Sequence, residues 1–435
     1  MRLSPVLLTA TLLLAGCSWF QEKEVPLEGK RISVMSHAKT LTPESPSEAV
    51  VLPPARRNAD WPQAGGLASH NVQHLVAAVP TSDGGLRVDA GAGVRSWKPL
   101  IAPPIVAGGR IFTADTDHRV HAFDFATGNR VWSTNVAKGV SDDDALVGGL
   151  AFDQGRVFVA TGFGDLVALD AAGGQELWRH SLGAPMHGPP TVDSGRIFVI
   201  SIDNLLFARN VTDGSEAWPP RRALPEPAAI LGTANPAAGG GFIFAPFSSG
   251  EIIALRADNG RPVWSTTLGT TRRTDELSLL SDVRARPILD GQTVYAMSYG
   301  GTLAAIDARS GQVRWEREIG GLNTPWLAGR YLFVVDNGNQ LMCVNAESGS
   351  IVWVVQLPVF QDEKNRKDPI IWIGPTLASD RLILLGSHGA MQVRSPYTGE
   401  IVSQGRLRAG VSVSPAIADG TLIILDDDGW LTLFR

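Results

Sequence analysis

The chain has 435 residues, 44% of them apolar and 19% charged, with a net charge of -5. That balance sustains one or more large buried cores, and it excludes both a wholly disordered chain and one that grips nucleic acid through a basic surface. Forty-seven glycines and 28 prolines, spread along the whole length, point to many turns between short strands and so to an all-β protein.

Met1 to Leu14 has one early positive charge, Arg2, and then an apolar run from Val6 that is too short to span a bilayer and fits a secretory signal. The run ends in Leu14-Ala15-Gly16-Cys17, which resembles the bacterial lipoprotein signal. That resemblance implies cleavage before Cys17, lipid on its sulfur and, because Ser18 follows, sorting to the outer membrane. Residues 1–16 are thus expected to be a signal peptide and 17–60 a lipidated flexible tether, polar and without a sustained period. A segment that folds on a partner is the alternative for the tether. Cys343, the one other cysteine, is left without a disulfide partner and reads as a small core residue.

From Trp61 to Arg435 the sequence repeats. Clear copies are PPIVAGGRIFTADTDHRVHAFDFATGNRVW and ARPILDGQTVYAMSYGGTLAAIDARSGQVRW, in which alternating apolar residues lie between Gly, Asp and Asn turns. This is the pattern of short antiparallel strands, about four per unit. From the residue after the first turn glycine to the Trp position the spacing is 22 in five units and 23 in two, whereas the stretch from Trp to the next unit varies from 13 to 28. Three strands are therefore fixed by their hairpins, and the variable joint links the outermost strand of one unit to the innermost of the next. Those joints share one face of the ring, and they are long after Trp132, Trp218, Trp264 and Trp353.

Counting Trp97, Trp132, Trp178, Trp218, Trp264, Trp315, Trp353 and the substituted Ser403 predicts an eight-bladed β-propeller. The last unit stops after its third strand, so Gly93 to Trp97 is expected to serve as the missing outer strand and close the ring. The recurring Trp reads as structure, tying blade to blade through its ring and indole N–H.

Chemistry is harder to find. His70 and His74 have metal spacing only on a helix, and SHNVQHL is not helical, so they read as a solvated or packing pair; His118 and His121 also read as lone residues without partners. Asp142 to Asp144 and Asp426 to Asp428 lack calcium-loop spacing and read as exposed turn carboxylates. No nucleophile elbow, phosphate loop or dinucleotide fingerprint appears, so no catalytic residue, metal or cofactor is expected and the protein is read as a non-enzyme.

The blade sentence, with its Gly-x-x-x-Trp ending, resembles the tryptophan-docking repeat of quinoprotein alcohol dehydrogenases, also eight-bladed. Those enzymes carry an adjacent-cysteine pair that this chain lacks, which leaves a quinoprotein-like dehydrogenase, or a propeller that binds a ligand in its central channel, as the alternative. A nearer resemblance is to the BamB family of outer-membrane protein assembly factors, through the signal at Leu14 to Cys17 and the region from Trp61 to Arg435, above all TDELSLLSDVRARPILDGQTVYAMSYGG. It implies a non-catalytic scaffold lipoprotein, held by its lipid on the periplasmic side of the outer membrane. Such a scaffold binds the periplasmic domains of the BamA barrel, sits with other assembly lipoproteins and handles unfolded outer-membrane proteins. The family's partner-binding loops map here onto Ile230, Leu231 and Gly232, and onto Asp282 and Val283. Two departures stand out: Leu231 replaces the family's arginine, and Arg284 replaces an acidic residue. Strand addition by a client to a blade edge is the rival binding mode.

Overall fold

In blade 1 the strands Ile105–Ala107, Arg110–Ala114, Arg119–Asp124 and Arg130–Asn135 break where Gly, Asp and Asn fall. The two middle strands are almost wholly buried, because each is covered on both faces by neighbouring blades, whereas the outer strand is largely exposed. The computed structural model describes residues 41–80, 84–95, 98–137, 145–224, 232, 234–269 and 282–435. Over these it forms eight four-stranded antiparallel sheets and one two-stranded hairpin, Phe360–Asp362 with Lys367–Pro369, which makes it the predicted eight-bladed propeller.

Blades 1 to 7 are built from consecutive strands spanning 105–135, 147–181, 191–222, 237–267, 288–317, 326–356 and 372–406. Blade 8 takes three strands from 416–434 and its outer strand from the N-terminal side, as expected, but the residues are different ones. Leu86–Asp89 pairs antiparallel with Trp430–Phe434, from Leu86 opposite Leu433 to Asp89 opposite Trp430. Gly93 to Trp97 is not that strand. Val94 N–H donates to Asp427 O at 2.6 Å and Thr116 Oγ1 donates to Gly93 O at 2.6 Å, so the chain here runs between turns of blades 8 and 1 on its way to the inner strand of blade 1. GVRSW matches the spelling of a blade ending, but its first three residues, Gly93 to Arg95, occupy the joint between two blades. Ser96 and Trp97 lie outside the described residues.

The register shows what stands in the tryptophan column. Trp132 pairs with Ala122, Trp178 with Ala168, Trp218 with Ala208, Trp264 with Ala254, Trp315 with Ala305 and Trp353 with Cys343. Ser403 pairs with Val393 and Leu86 with Leu433, so Leu86, rather than Trp97, is the eighth member. Each Trp indole meets a turn glycine of the next blade, for instance Trp132 on Gly174 and Trp218 on Gly260. Blade 8 has no such turn, since its outer strand comes from elsewhere in the chain, and Ser403 of blade 7 therefore has nothing on which a ring would dock. Leu86 and Val88 close the circle against Gly128 of blade 1.

The compact unit runs from Leu41 to Arg435, so the boundary expected at residue 60 falls inside it. Glu48 Oε1 accepts hydrogen bonds from Tyr331 and Asn345 of blade 6, and Val50 is buried in the core. Further on the chain becomes a belt that visits every blade in order. Trp61 exchanges main-chain hydrogen bonds with Val106 of blade 1 at 2.7 and 2.8 Å; Pro62 O accepts from Phe152 of blade 2 and Gln63 Oε1 from the Val192 N–H of blade 3. Ala68 O then accepts from Ala238 of blade 4, Ser69 O from Leu289 of blade 5, Gln73 Oε1 from Gly329 of blade 6 and Leu75 O from Ser379 of blade 7, before Ala78 N–H donates to Gly420 O of blade 8. Without the belt, the inner strands would leave those N–H groups unpaired at the channel wall. The contacts at Gly108, Gly329 and Gly420 sit at turns between first and second strands, so the belt closes the face opposite the long joints.

Candidate functional site

On the open face, the joint from blade 4 to blade 5 is clamped by turns of both blades. Val283 N–H donates to Phe247 O at 3.2 Å, and Asp282 O accepts from Tyr299 N–H at 2.8 Å. Val283 is 1% and Asp282 6% exposed, so neither side chain stands out from the surface. Burial lowers Arg284, and the nearby charge of Asp282 offsets part of that effect.

Gly232, in the joint from blade 3 to blade 4, has φ of +87°, and a Cβ placed there would lie 3.0 Å from Arg284 Nη2. The structure thus brings Gly232 together with the segment that carries Asp282 and Val283, and Arg284 is the residue that spans them. Ile230, Leu231 and Cys17 lie outside the described residues.

Behind Arg284 is a network that local sequence does not reveal. Arg286 Nε donates to Asn235 Oδ1 at 2.9 Å; the Asn235 amide donates to Thr191 Oγ1 at 2.8 Å and to His70 Nε2 at 2.9 Å. With Nε2 accepting, His70 carries its proton on Nδ1 and donates it to Pro287 O at 2.7 Å. Burial, with the Arg286 charge nearby, pushes His70 down to about 3. Burial also lowers Arg286, to about 10, and the Arg284 charge adds to the effect. Arg286 therefore remains a cation at neutral pH, held by neutral partners. His70 is a packing residue, as its sequence context suggests, but nothing in that context shows that its partners come from blades 3, 4 and 5.

Elsewhere the titratable residues are structural. His74 Nδ1 bonds to Pro53 O at 2.8 Å and its Nε2 accepts Asp380 N–H at 3.0 Å, which fixes it as a packing residue. His121, expected to be alone, pairs with Asp115 at 3.0 Å, both buried, and His118 bonds to Ala145 O. Asp426 is buried rather than exposed, because its Oδ1 caps the N–H groups of Asp428 and Trp430 across the turn. Cys343 is fully buried between Phe333 and Trp353, and burial pushes its thiol up, away from reactivity. Among the described residues no three His, Cys, Asp or Glu side chains converge as metal ligands would.

Residues 63–143 and 134–355 match the family model described as outer membrane protein assembly factor BamB, and the two stretches together take in more than half of the chain. The assembly factor BamB of Nitrosomonas eutropha is 30% identical over 221 residues, 51% of this chain and 52% of that one, so the chain spans about half of that relative's length. Among solved structures, BamB from Moraxella catarrhalis superposes with a TM-score of 0.66 at 19% identity, covering 83% of this chain and 100% of that one. A europium-containing methanol dehydrogenase superposes with a TM-score of 0.67 at 13% identity, covering 84% and 89%. At such identities both superpositions establish the shared propeller and nothing about activity.

Proposed function

The chain belongs to the BamB family of outer-membrane protein assembly factors, and from that premise we propose that it is a non-catalytic scaffold of the machinery that inserts β-barrels into the outer membrane. It is anchored through lipid on Cys17 at the periplasmic side and docks on the periplasmic domains of a BamA-like barrel. The docking surface is the open face of the ring, where the loop of Ile230, Leu231 and Gly232 meets the segment of Asp282 and Val283. The observation that carries this reading is the contact of Gly232 with Arg284, which joins two separate inter-blade connections into one surface. The opposite face supports it by default, since the belt from Asp60 to Ala78 already covers it.

Asp282 and Val283 are buried, so they shape this surface from beneath, and Arg284 is the partly exposed residue between them and Gly232. The test is affinity purification of the full lipidated chain from detergent-solubilised outer membrane. A BamA-like barrel is expected to co-purify. Leu231→Asp should reduce its recovery about tenfold, in line with a lost hot-spot residue, while the melting temperature stays unchanged. Undiminished recovery with Leu231→Asp and with Asp282→Asn would remove these loops from the interface. Cys17→Ala should release the protein from the membrane fraction, because the acyl chains are its anchor.

A further inference from the structure

In the central channel a small cavity lies between the belt, which supplies Trp61, Gly65, His70 and Val72 as its floor, and residues at or just before the inner strands of blades 5 to 8. Arg286 stands in the wall, with Thr324, Thr376 and Ser414 around the same space, which measures about 50 Å³ and has room for a few water molecules or one small ion. The hydrogen bonds of the guanidinium run to the neutral Asn235 at 2.9 Å and, weakly, to Thr324 Oγ1 at 3.5 Å, and among the described residues no carboxylate pairs with it. A guanidinium has five N–H donors in a planar fork, so most of the donors of Arg286 are left unspent.

A permanent cation in a confined, low-dielectric space is costly unless an opposite charge joins it. The polar groups beside it carry no charge to offset it: neutral His70 spends both ring nitrogens on Pro287 and Asn235, and Asn235 gives its carbonyl to Arg286 Nε and its amide hydrogens to His70 and Thr191. The neighbouring charge, Arg284, has the same sign and deepens the positive potential. Hydroxyls at Thr324, Thr376 and Ser414 add donors that suit oxygen acceptors.

We propose that Arg286 anchors a binding site for a small oxyanion, a carboxylate or a phosphate, on the floor of the central channel. The fork takes two oxygens of the anion, the surrounding hydroxyls take the rest, and Arg284 draws the anion in from the open face. The site is separate from the docking loops, so its failure and theirs are distinguishable.

Calorimetric titration of the full chain with sodium acetate and, separately, sodium phosphate, at an ionic strength held constant with chloride, tests the site and tells a carboxylate from a phosphate. One saturable site for at least one of the two is expected, weakened at least about tenfold in Arg286→Gln, as loss of a charge-assisted pair implies. No saturable heat with either anion, or the same affinity in the variant, overturns the proposal. Should Arg286→Gln fail to fold, wild-type crystals soaked in the binding anion decide. Difference density within hydrogen-bonding distance of Arg286 supports the site, and density only outside the channel overturns it.

Discussion

Trp132 lies against Gly174 of the next blade so closely that a Cβ on that glycine would come within 2.6 Å of the indole, while its Nε1–H donates to Ala171 O at 3.0 Å. The same double contact repeats around the ring, with indole bonds to Ala257, Ala308, Ala346 and Pro396 at 2.9 to 3.2 Å. Trp178 keeps the stacking against Gly214 but its N–H has no partner among the described residues. In blades 1 to 6 a bulge near the Trp re-aims the strand, and an aromatic ring of the second strand, such as Phe112 at 5.9 Å, backs it. Six of the eight blade-to-blade joints thus share one glycine and one tryptophan.

Gly174→Ala should therefore cost more than the backbone strain alone. Gly155 has nearly the same φ, +76° against +75°, but no atom lies within 4 Å of where its Cβ would sit, so Gly155→Ala measures strain by itself, about 1–2 kcal/mol. Gly174→Ala adds displacement of Trp132 and is expected to cost roughly 2–3 kcal/mol more. Urea titrations of the two variants compare them, and equal midpoints would show that the indole contact contributes nothing.

Closure of the ring rests on Leu86–Asp89. Replacing these four residues with Gly-Ser-Gly-Ser removes the Leu86 and Val88 contacts at Gly128 and weakens the pairing with Trp430–Phe434. A loss of roughly 2–4 kcal/mol follows from a few strand hydrogen bonds and two apolar side chains. The exposed edge should also promote association, visible in light scattering. A Gly-Ser-Gly replacement at Gly93 to Arg95, which form no part of the outer strand, should leave the eighth sheet paired in hydrogen exchange.

The blade count, the strand pattern and the docking role of Trp were all legible, because hairpins fix local spacing and local spacing is what a sequence displays. The identity of the closing strand was not. GVRSW and LRVD differ in which one meets Leu431 and Leu433 across some 340 residues, and the Trp97 spelling outweighed the plain alternation of Leu86 and Val88. The belt was missed for the same reason: SHNVQH and DWPQAGG have no period, and their order comes from hydrogen bonds to the inner strands of five blades and to the turns after the inner strands of the other three. At the docking loops the sequence placed Gly232 and Asp282 on neighbouring joints, but that Asp282 faces inward depends on turns at Phe247 and Tyr299 that only the fold supplies.

The belt should carry a measurable share of the stability. Gln63 is 6% exposed, and its amide oxygen accepts the Val192 N–H at 2.8 Å, a group with no strand neighbour on that side. Gln63→Leu keeps the bulk and leaves that N–H buried without an acceptor, a cost of about 1–3 kcal/mol. Thermal melts read it directly. A variant as stable as the parent would mean that water enters the channel wall and takes over the bond.

His70 makes stability depend on pH. Its folded value, about 3, lies below the unfolded value of 6.5, so the neutral ring is favoured by the fold. The resulting stabilisation is complete above pH 6.5 and is lost progressively as pH falls from 6.5 towards 3, because the unfolded chain takes up the proton that the folded chain refuses. The slope from this one group approaches about 1.4 kcal/mol per pH unit in the middle of that window. Carboxylates titrate in the lower part of the range, so the comparison that isolates His70 is between the parent and His70→Gln from pH 6.5 to 5. The variant should be less stable at pH 7, having lost the bond to Pro287 O, yet decline less steeply than the parent over that interval, its remaining slope coming from His187 and His388, which burial also lowers. Parallel curves would show that His70 takes up its proton in the folded protein as readily as in the unfolded one, and that the network with Asn235 does not hold it neutral.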